Sequence, residues 1–456
     1  MTRSVWGLAT AGLGLEDDVP LTPPLAQPPG PEAPASLASA GKAARQRVSR
    51  RSHAGWAAAD RVDPLAILET QNTSRLPDLV PVRMGRMSES PFAFFRGSAA
   101  VMAADLASTP TTGIEVQSCG DAHLLNFGLY ASPERSVLFD VNDFDETGPA
   151  PFEWDVKRLA ASAAVAGRHN GLPDDMSRKA ANAAVASYRT ATTDFAGMGS
   201  LEVFYARVDA GRATSLVSRP LRSLQHRVVA KARQHTATQA LAKLTVSDEE
   251  GRPRIVEQPP LVVRLPVPDD ASDIGAFVAA LLSSLRTDVR WLLSQFHVVD
   301  VARKVVGVGS VGTRCYVVLL LDSIGSPLFL QLKEAEDSVL APYWPPTDTI
   351  ESGRRVVQGQ QIMQAASDVF LGWGSDADGK HFYTRQLWDM KGSIDINRLT
   401  APTLIDYASL CGWTLARAHA QSGKAAEVAG YLGSTAVFDE AIADFAMGYA
   451  RQVELD

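Results

Sequence analysis

Three oxygen-bearing side chains, Asp121, Asn126 and Asp143, fall where they could serve a single cation. An apolar run at 114–117 leads into Gly120-Asp121-Ala122-His123, with Asn126 five residues past the Asp. A second run at 136–141 leads into Asp143-Phe144-Asp145. Carboxylate and amide oxygens are the donors taken by a hard cation such as Mg²⁺, which uses few of them and completes its octahedron with water and phosphate oxygens. A carboxylate beside such a metal can also orient a hydroxyl group. Acidic residues after strands are common turn formers too, so residue type alone leaves a plain loop as the other reading.

The elements that must position these groups follow from periodicity. Both apolar runs read as strands, and Ala131-Ser132-Pro133-Glu134-Arg135 has the composition of a tight connection. The two runs are therefore expected to pair as a hairpin, bringing Asp121, Asn126 and Asp143 to one end of a sheet. Asp155 opens a helical pattern, and a further helix is expected over 174–195. Residues 204–299 read as mostly helical, with a basic face in 222–244, a strongly apolar helix at 273–296 and a short extended insertion punctuated by Gly251 and by Pro259-Pro260. Gly307, Gly309 and Gly312 have G-x-G-x-x-G spacing between two apolar runs. A dinucleotide-binding fingerprint passes from strand into helix, whereas Cys315-Tyr316-Val317-Val318-Leu319 reads as strand, so these glycines close a hairpin. The next strand ends on Lys333, and a helix over 351–370 and an extended segment at 381–387 follow.

The order Gly-Asp-x-His-x-x-Asn, then Asp-Phe, then Gly-Pro and an Asp opening a helix resembles the catalytic core of the protein-kinase-like fold. Within that fold it is most similar to the aminoglycoside and choline phosphotransferases. The resemblance implies that Asp121 handles the acceptor hydroxyl while Asn126 and Asp143 hold Mg²⁺. It implies that the backbone of Gly307, Gly309 and Gly312 covers the phosphates of ATP, that Lys333 holds the α and β phosphates, and that 381–387 forms an apolar back wall for adenine. Asp155 would support the catalytic loop, with His123 in a structural role beside it. Cys119 stands where those enzymes usually carry His, which bears on the rigidity of the loop. The lysine should be clamped by a Glu of the next helix, but Glu351 lies near its start and Gln358, Gln361 and Gln364 follow, leaving the partner unassigned. Gly307 and Lys333 come after Asp121 rather than before it, an order that a circular permutation explains. The rival is a metal-dependent phosphoesterase, where Gly-Asp-x-His also occurs; it needs a downstream Gly-Asn-His segment, and no later histidine stands in one.

A second resemblance is tighter. SRRSHAGW, RLPDLVPVRMGRM, SPFAFFRG, CGDAHLLNFG and NDFDETGPAPFEWDVKRLAAS occur in the order seen in a large bacterial family known only as a domain of unknown function. Arg83, Arg86 and Arg96 in these segments either bind an anion or pair with acids. The chain of 456 residues carries a formal charge of -7, which speaks against a broad nucleic-acid surface. Cys119, Cys315 and Cys411 are far apart and form no C-x-x-C pair, so neither a zinc site nor a disulfide framework is indicated, and a cytoplasmic location fits. No apolar run approaches the roughly 20 residues of a membrane helix. The basic cluster Lys42 to Arg51 reads as a solvated arm or an anion site.

The expectation is thus an α+β, two-lobed, kinase-like fold in permuted order. A disordered leader would occupy 1–45, a catalytic region with a helical insertion 46–300, a nucleotide-binding region 301–395, and returning helices 396–456. Its function would be ATP- and Mg²⁺-dependent phosphoryl transfer to a small-molecule hydroxyl. The alternatives are a nucleotide-binding regulatory protein or a nucleotidyl transferase.

Overall fold

The computed structural model describes residues 33–56, 61–209, 219–234, 237–265, 278, 280–387 and 390–456. The fold is α+β. Helices α1 (Pro34–Arg47), α2 (Pro64–Asn72), α3 (Val80–Met87), α4 (Pro91–Gly97) and α5 (Ala99–Ala107) precede strands β1 (Glu115–Ser118), β2 (Phe127–Ala131), β3 (Val137–Val141) and β4 (Gly148–Pro151). Next come α6 (Phe152–His169), α7 (Asp174–Ala196), α8 (Ser200–Tyr205), β5 (Val208–Asp209), α9 (Arg219–Gln234), α10 (Ala237–Leu244), β6 (Thr245–Ser247), β7 (Pro253–Ile255) and β8 (Val262–Leu265). The chain continues through α11 (Thr287–Leu293), β9 (Phe296–Lys304), β10 (Cys315–Asp322), β11 (Pro327–Glu334), α12 (Ser352–Met363), β12 (Gly372–Ser375) and β13 (His381–Gln386). It ends in α13 (Ala401–Ala420), α14 (Ala425–Leu432) and α15 (Val437–Leu455).

Helix α6 is the axis of the larger core. It is buried without interruption from Phe152 to Gly167, because alanines at 160, 161, 163, 164 and 166 let neighbours approach from every side. Its buried charges are satisfied: Glu153 accepts from the Thr112 N–H (2.5 Å) and hydroxyl (2.9 Å), and Lys157 donates to the Thr109 hydroxyl (2.8 Å). Helices α7, α13 and α15 pack around it.

The second core lies on a six-stranded antiparallel sheet in the order β12-β13-β11-β10-β9-β8. Residues alternate faces along a strand. Leu328 and Leu330 of β11 pack with Leu285, Val289 and Leu293 on one side, and Phe329 packs with Ala240 and Ile255 on the other. Lys333 shares the parity of Phe329 and Gln331, and it stands opposite Cys315 on β10 and Tyr383 on β13.

Several expectations are corrected. The runs at 114–117 and 136–141 do not pair: β1 pairs with β4, and β3 pairs with β2, a strand the sequence reading left unassigned. The tight connection after Ala131 is real, but it joins β2 to β3. Among the described residues, the span 204–299 holds strands β5 to β8 and the start of β9 besides its helices. Of the helix expected at 273–296, residues 273–277 lie outside the described residues, and an extended Arg286 separates α11 from what precedes it. Helix α12 stops at Met363, well short of Phe370. Gln364 is extended and donates to the Val141 carbonyl, while the Ala365 N–H donates to Asp140, so this segment leaves the helix to bind β3. The leader expected to be disordered to residue 45 is helical from Pro34, and residues 1–32 lie outside the described residues.

Candidate functional site

The segment after β1 is held by one stripe of α6. The backbone N–H groups of Cys119 and Gly120 donate to the two oxygens of Asp155 (2.8 and 3.0 Å), and His419 Nε2 lies 3.1 Å from Oδ2. One turn on, Arg158 donates through Nε to Asp121 Oδ1 (2.8 Å), and its Nη2, which donates to the Phe95 carbonyl, lies 2.7 Å from the same oxygen. A further turn on, the Ser162 hydroxyl accepts from the Leu124 N–H at 2.9 Å. Positions 155, 158 and 162 recur at the spacing of one helix face, so a rigid element fixes the whole loop. Gly120 adopts φ +76°, and a Cβ there would overlap the Glu146 carbonyl, so both conformation and space require glycine. The Cys119 side chain is buried, and the Asp155 carboxylate holds this part of the loop through backbone bonds.

Burial alone would raise the Asp121 carboxyl, but Arg158, then His123 and Arg96, hold it below its ordinary value. His123 is itself pushed down to about 4 by burial, so it stays neutral, 3.7 Å from Asp121. Asn126 donates its Nδ2 to the Asp121 carbonyl at 2.7 Å, which leaves Oδ1 as its acceptor.

The loop after β3 meets Lys333. The ammonium lies 3.4 Å from Asp143 Oδ1 and closer still to Asp145, which also accepts from the Tyr383 hydroxyl at 2.6 Å. Burial would lower the Lys333 ammonium, but Asp143 and Asp145 hold it well above its ordinary value. Burial would likewise raise Asp143, and Lys333 followed by Arg385 holds it low, so the pair is ionised. The partner left unassigned by the sequence is thus Asp145 with Asp143, not a helix Glu. Glu351 instead accepts from Ser375 (2.6 Å) and lies 3.1 Å from His381. Helix α12 reaches the acidic loop through Arg355, which donates to the carbonyls of Asp145 (2.8 Å), Glu336 (2.7 Å) and Thr147.

The glycine hairpin joins β9 to β10 and bears on the same place. Gly307, Val308, Gly309 and Ser310 line a cleft of about 80 Å³ together with Asp121, His123, Asn126, Asp143, Asp145 and Glu146. The Ser310 hydroxyl donates to Asp145 at 3.3 Å. The hairpin is latched rather than free: Val308 packs with Leu68, Met87 and Val101, Arg86 donates to the Gly307 carbonyl (2.6 Å), and Arg75 donates to the Val311 carbonyl (2.6 Å).

The structure therefore brings Asp121, His123, Asn126, Asp143, Gly307 and Gly309 to one cleft. Lys333 sits just behind Asp143 and Asp145, 1% exposed. Asp155 lies beneath the loop, and Gly312 faces Arg75 on the helical side. The back wall expected at 381–387 is not apolar, since Tyr383 and Arg385 turn polar groups toward Asp145 and the Asn142 carbonyl. Sequence reasoning missed Asp145, although D-F-D displayed it, and it missed Arg158, for which three-residue spacing from Asp155 was the available signal.

A family model described as "Uncharacterized protein conserved in bacteria (DUF2252)" matches residues 75–456. The chain belongs to this family. The match includes every residue of the cleft except Gln71, while α1 and α2 precede it. No curated protein and no solved structure matches the chain. Among the described residues no helix is long and apolar enough to cross a membrane, and no three His, Cys, Asp or Glu side chains form a metal cage.

Proposed function

We propose that this DUF2252 protein is an ATP- and Mg²⁺-dependent phosphotransferase with a permuted kinase-like site, acting on the hydroxyl of a small molecule. The observation that carries the reading is the approach of Lys333 to Asp143, at 3.4 Å, beside a cleft that the glycine hairpin shares with Asp121 and Asn126. A glycine hairpin, a strand lysine, a metal-type carboxylate and a hydroxyl-orienting carboxylate are the parts phosphoryl transfer uses, and they come from chain segments about 190 residues apart. The chain order of glycine hairpin, lysine strand, helix α12 and strands β12 and β13 is the order the kinase resemblance implies for a small lobe.

The residues present fit the metal. Asp143 is ionised and Asn126 keeps one amide oxygen, and two protein donors suffice for Mg²⁺ when phosphates and water supply the rest. Bound there, Mg²⁺ would supply neutralisation of phosphate charge. In this reading Lys333 takes phosphate oxygens, the backbone of Gly307 to Ser310 covers them, and Asp121 orients the acceptor hydroxyl. One observation favours the alternative of nucleotide binding without transfer: Asp121 is engaged by Arg158 and held below its ordinary value, which makes it a weak base for deprotonating an acceptor hydroxyl.

Two variants test the reading. Mg²⁺ with ATP should raise the melting temperature, since a ligand selective for the folded state stabilises it. Lys333→Met should lose most of that rise, measured against its own unliganded baseline because the variant leaves two carboxylates unpaired. With labelled ATP and a panel of hydroxylated metabolites, Asp121→Asn should lower transfer by about 10²- to 10⁴-fold while the thermal shift survives. A shift without transfer in the wild-type chain would select the binding-only alternative, and no shift at all would remove the nucleotide.

A further inference from the structure

The charged groups around the cleft are matched, with one exception. Arg75 and Arg83 are taken up by backbone carbonyls and amide side chains, Asp121 by Arg158, and Asp143 and Asp145 by Lys333. Arg96 makes no hydrogen bond or ion pair among the described residues, and its Nε is shut off from water with no acceptor. A guanidinium has five donors in a planar fork, and leaving it unmatched while partly desolvated is costly. Burial holds it below its ordinary value, with Asp121 and Glu89 acting through space in the opposite sense.

Its position is as informative as its lack of a partner. Gly309 crosses the Arg96 backbone so closely that a Cβ there would stand 3.2 Å from the Arg96 carbonyl. Arg96 lines the cleft and also a second, more open groove of about 550 Å³ bounded by Phe92, Leu125, His169 and Asp395. It therefore stands where the glycine hairpin, Asp121 and the outer groove meet.

We propose that Arg96 anchors a phosphate-binding site between the glycine hairpin and Asp121, with the outer groove admitting the acceptor. On the function proposed above, the phosphate is the terminal phosphate of ATP; a phosphate carried by the acceptor has the same chemistry and would enter from the groove. A planar guanidinium matches two phosphate oxygens at once, and it would hold the group beside the carboxylate that orients the attacking hydroxyl.

Calorimetric titration of the wild-type chain, Arg96→Gln and Arg96→Lys with Mg-ATP, Mg-ADP and inorganic phosphate tests the site. If the terminal phosphate is the ligand, Arg96→Gln should weaken Mg-ATP by about ten- to a hundredfold and leave Mg-ADP unchanged, the loss expected for charge-assisted hydrogen bonds. Arg96→Lys, which keeps the charge without the fork, should fall between. Unchanged nucleotide affinities with loss of inorganic phosphate would assign the site to the acceptor's phosphate. Phosphate binding that depends on Arg96 in a chain that takes no nucleotide would support the site and sink the ATP reading. Wild-type affinities in both variants for all three ligands would overturn the site and leave the ATP reading standing. Removing an unmatched cation should not lower the unliganded melting temperature; if the Gln variant fails to fold, the Lys variant carries the comparison.

Discussion

Glu146 borders the cleft and accepts from the Val339 N–H at 2.7 Å. Burial, countered by that bond and by Arg355, raises its carboxyl from 4.5 to about 7. A group that holds its proton more tightly when folded stabilises the fold while it stays protonated. That contribution is complete below about 4.5 and is lost as pH rises through about 7. The shift corresponds to at most about 3 kcal/mol, and partial exposure to the cleft reduces it to the order of 1–2 kcal/mol. Glu146→Gln mimics the protonated form and keeps an acceptor for Val339. Denaturant unfolding across this pH range should show the wild-type chain losing stability relative to the variant toward alkaline pH; parallel curves would show that Glu146 ionises freely. Gly120 sets a stricter limit beside it. Gly120→Ala forces a Cβ into the Glu146 carbonyl in a left-handed backbone, and it should destabilise the fold by about 1–3 kcal/mol.

At the scale of elements, the glycine hairpin was legible because glycine spacing between two β-type runs excludes a helix. Its latch was not, because Val308 meets Leu68, Met87 and Val101 across more than 200 residues of chain. The same limit misplaced β1. An apolar run declares a strand, but its partner is settled by tertiary geometry, and β4, with two prolines in four residues, gives no strand signal of its own. The acidic loops were readable residue by residue, whereas Arg355, which fixes the second of them, acts through contacts that no local pattern encodes, and Arg158 was marked only by its three-residue spacing from Asp155. The latch makes a prediction. Val308→Asp places a carboxylate among apolar side chains and should weaken docking of the hairpin by at least about 2 kcal/mol. Hydrogen exchange should then speed up across 305–314 and stay slow in the centre of β9 to β11. Unchanged exchange in the hairpin would mean that Arg75 and Arg86 hold it without Val308.

At the scale of the molecule, the segment before the family match is built into the core of the matched part. Helix α1 crosses α14 where Gly41 and Gly430 let the two backbones touch; a Cβ on Gly430 would overlap the Ala38 carbonyl. Two arginines of the basic cluster then cap α14. Arg45 donates to the carbonyls of Tyr431 (2.7 Å) and Gly430, and Arg50 donates to that of Leu432 (2.6 Å), where the carbonyls of a helix end lack partners and the dipole favours a cation. For Arg45 and Arg50, neither the solvated arm nor the anion site expected from the sequence is what the fold uses. Arg61 extends the contact by pairing with Asp105 (2.8 Å) and with Asp456 (2.5 Å). None of these contacts reaches the cleft, so packing of α1 and ligand binding should separate experimentally. Gly430→Val should displace α1, cost about 1–3 kcal/mol of stability through overpacking, and expose 34–47 to proteolysis. The rise in melting temperature that the proposed function expects from Mg-ATP should persist from the lowered baseline. Resistance to proteolysis in the variant would show that α1 can shift along α14 without leaving it, and loss of the ATP response would show that the two ends of the chain set the shape of the cleft.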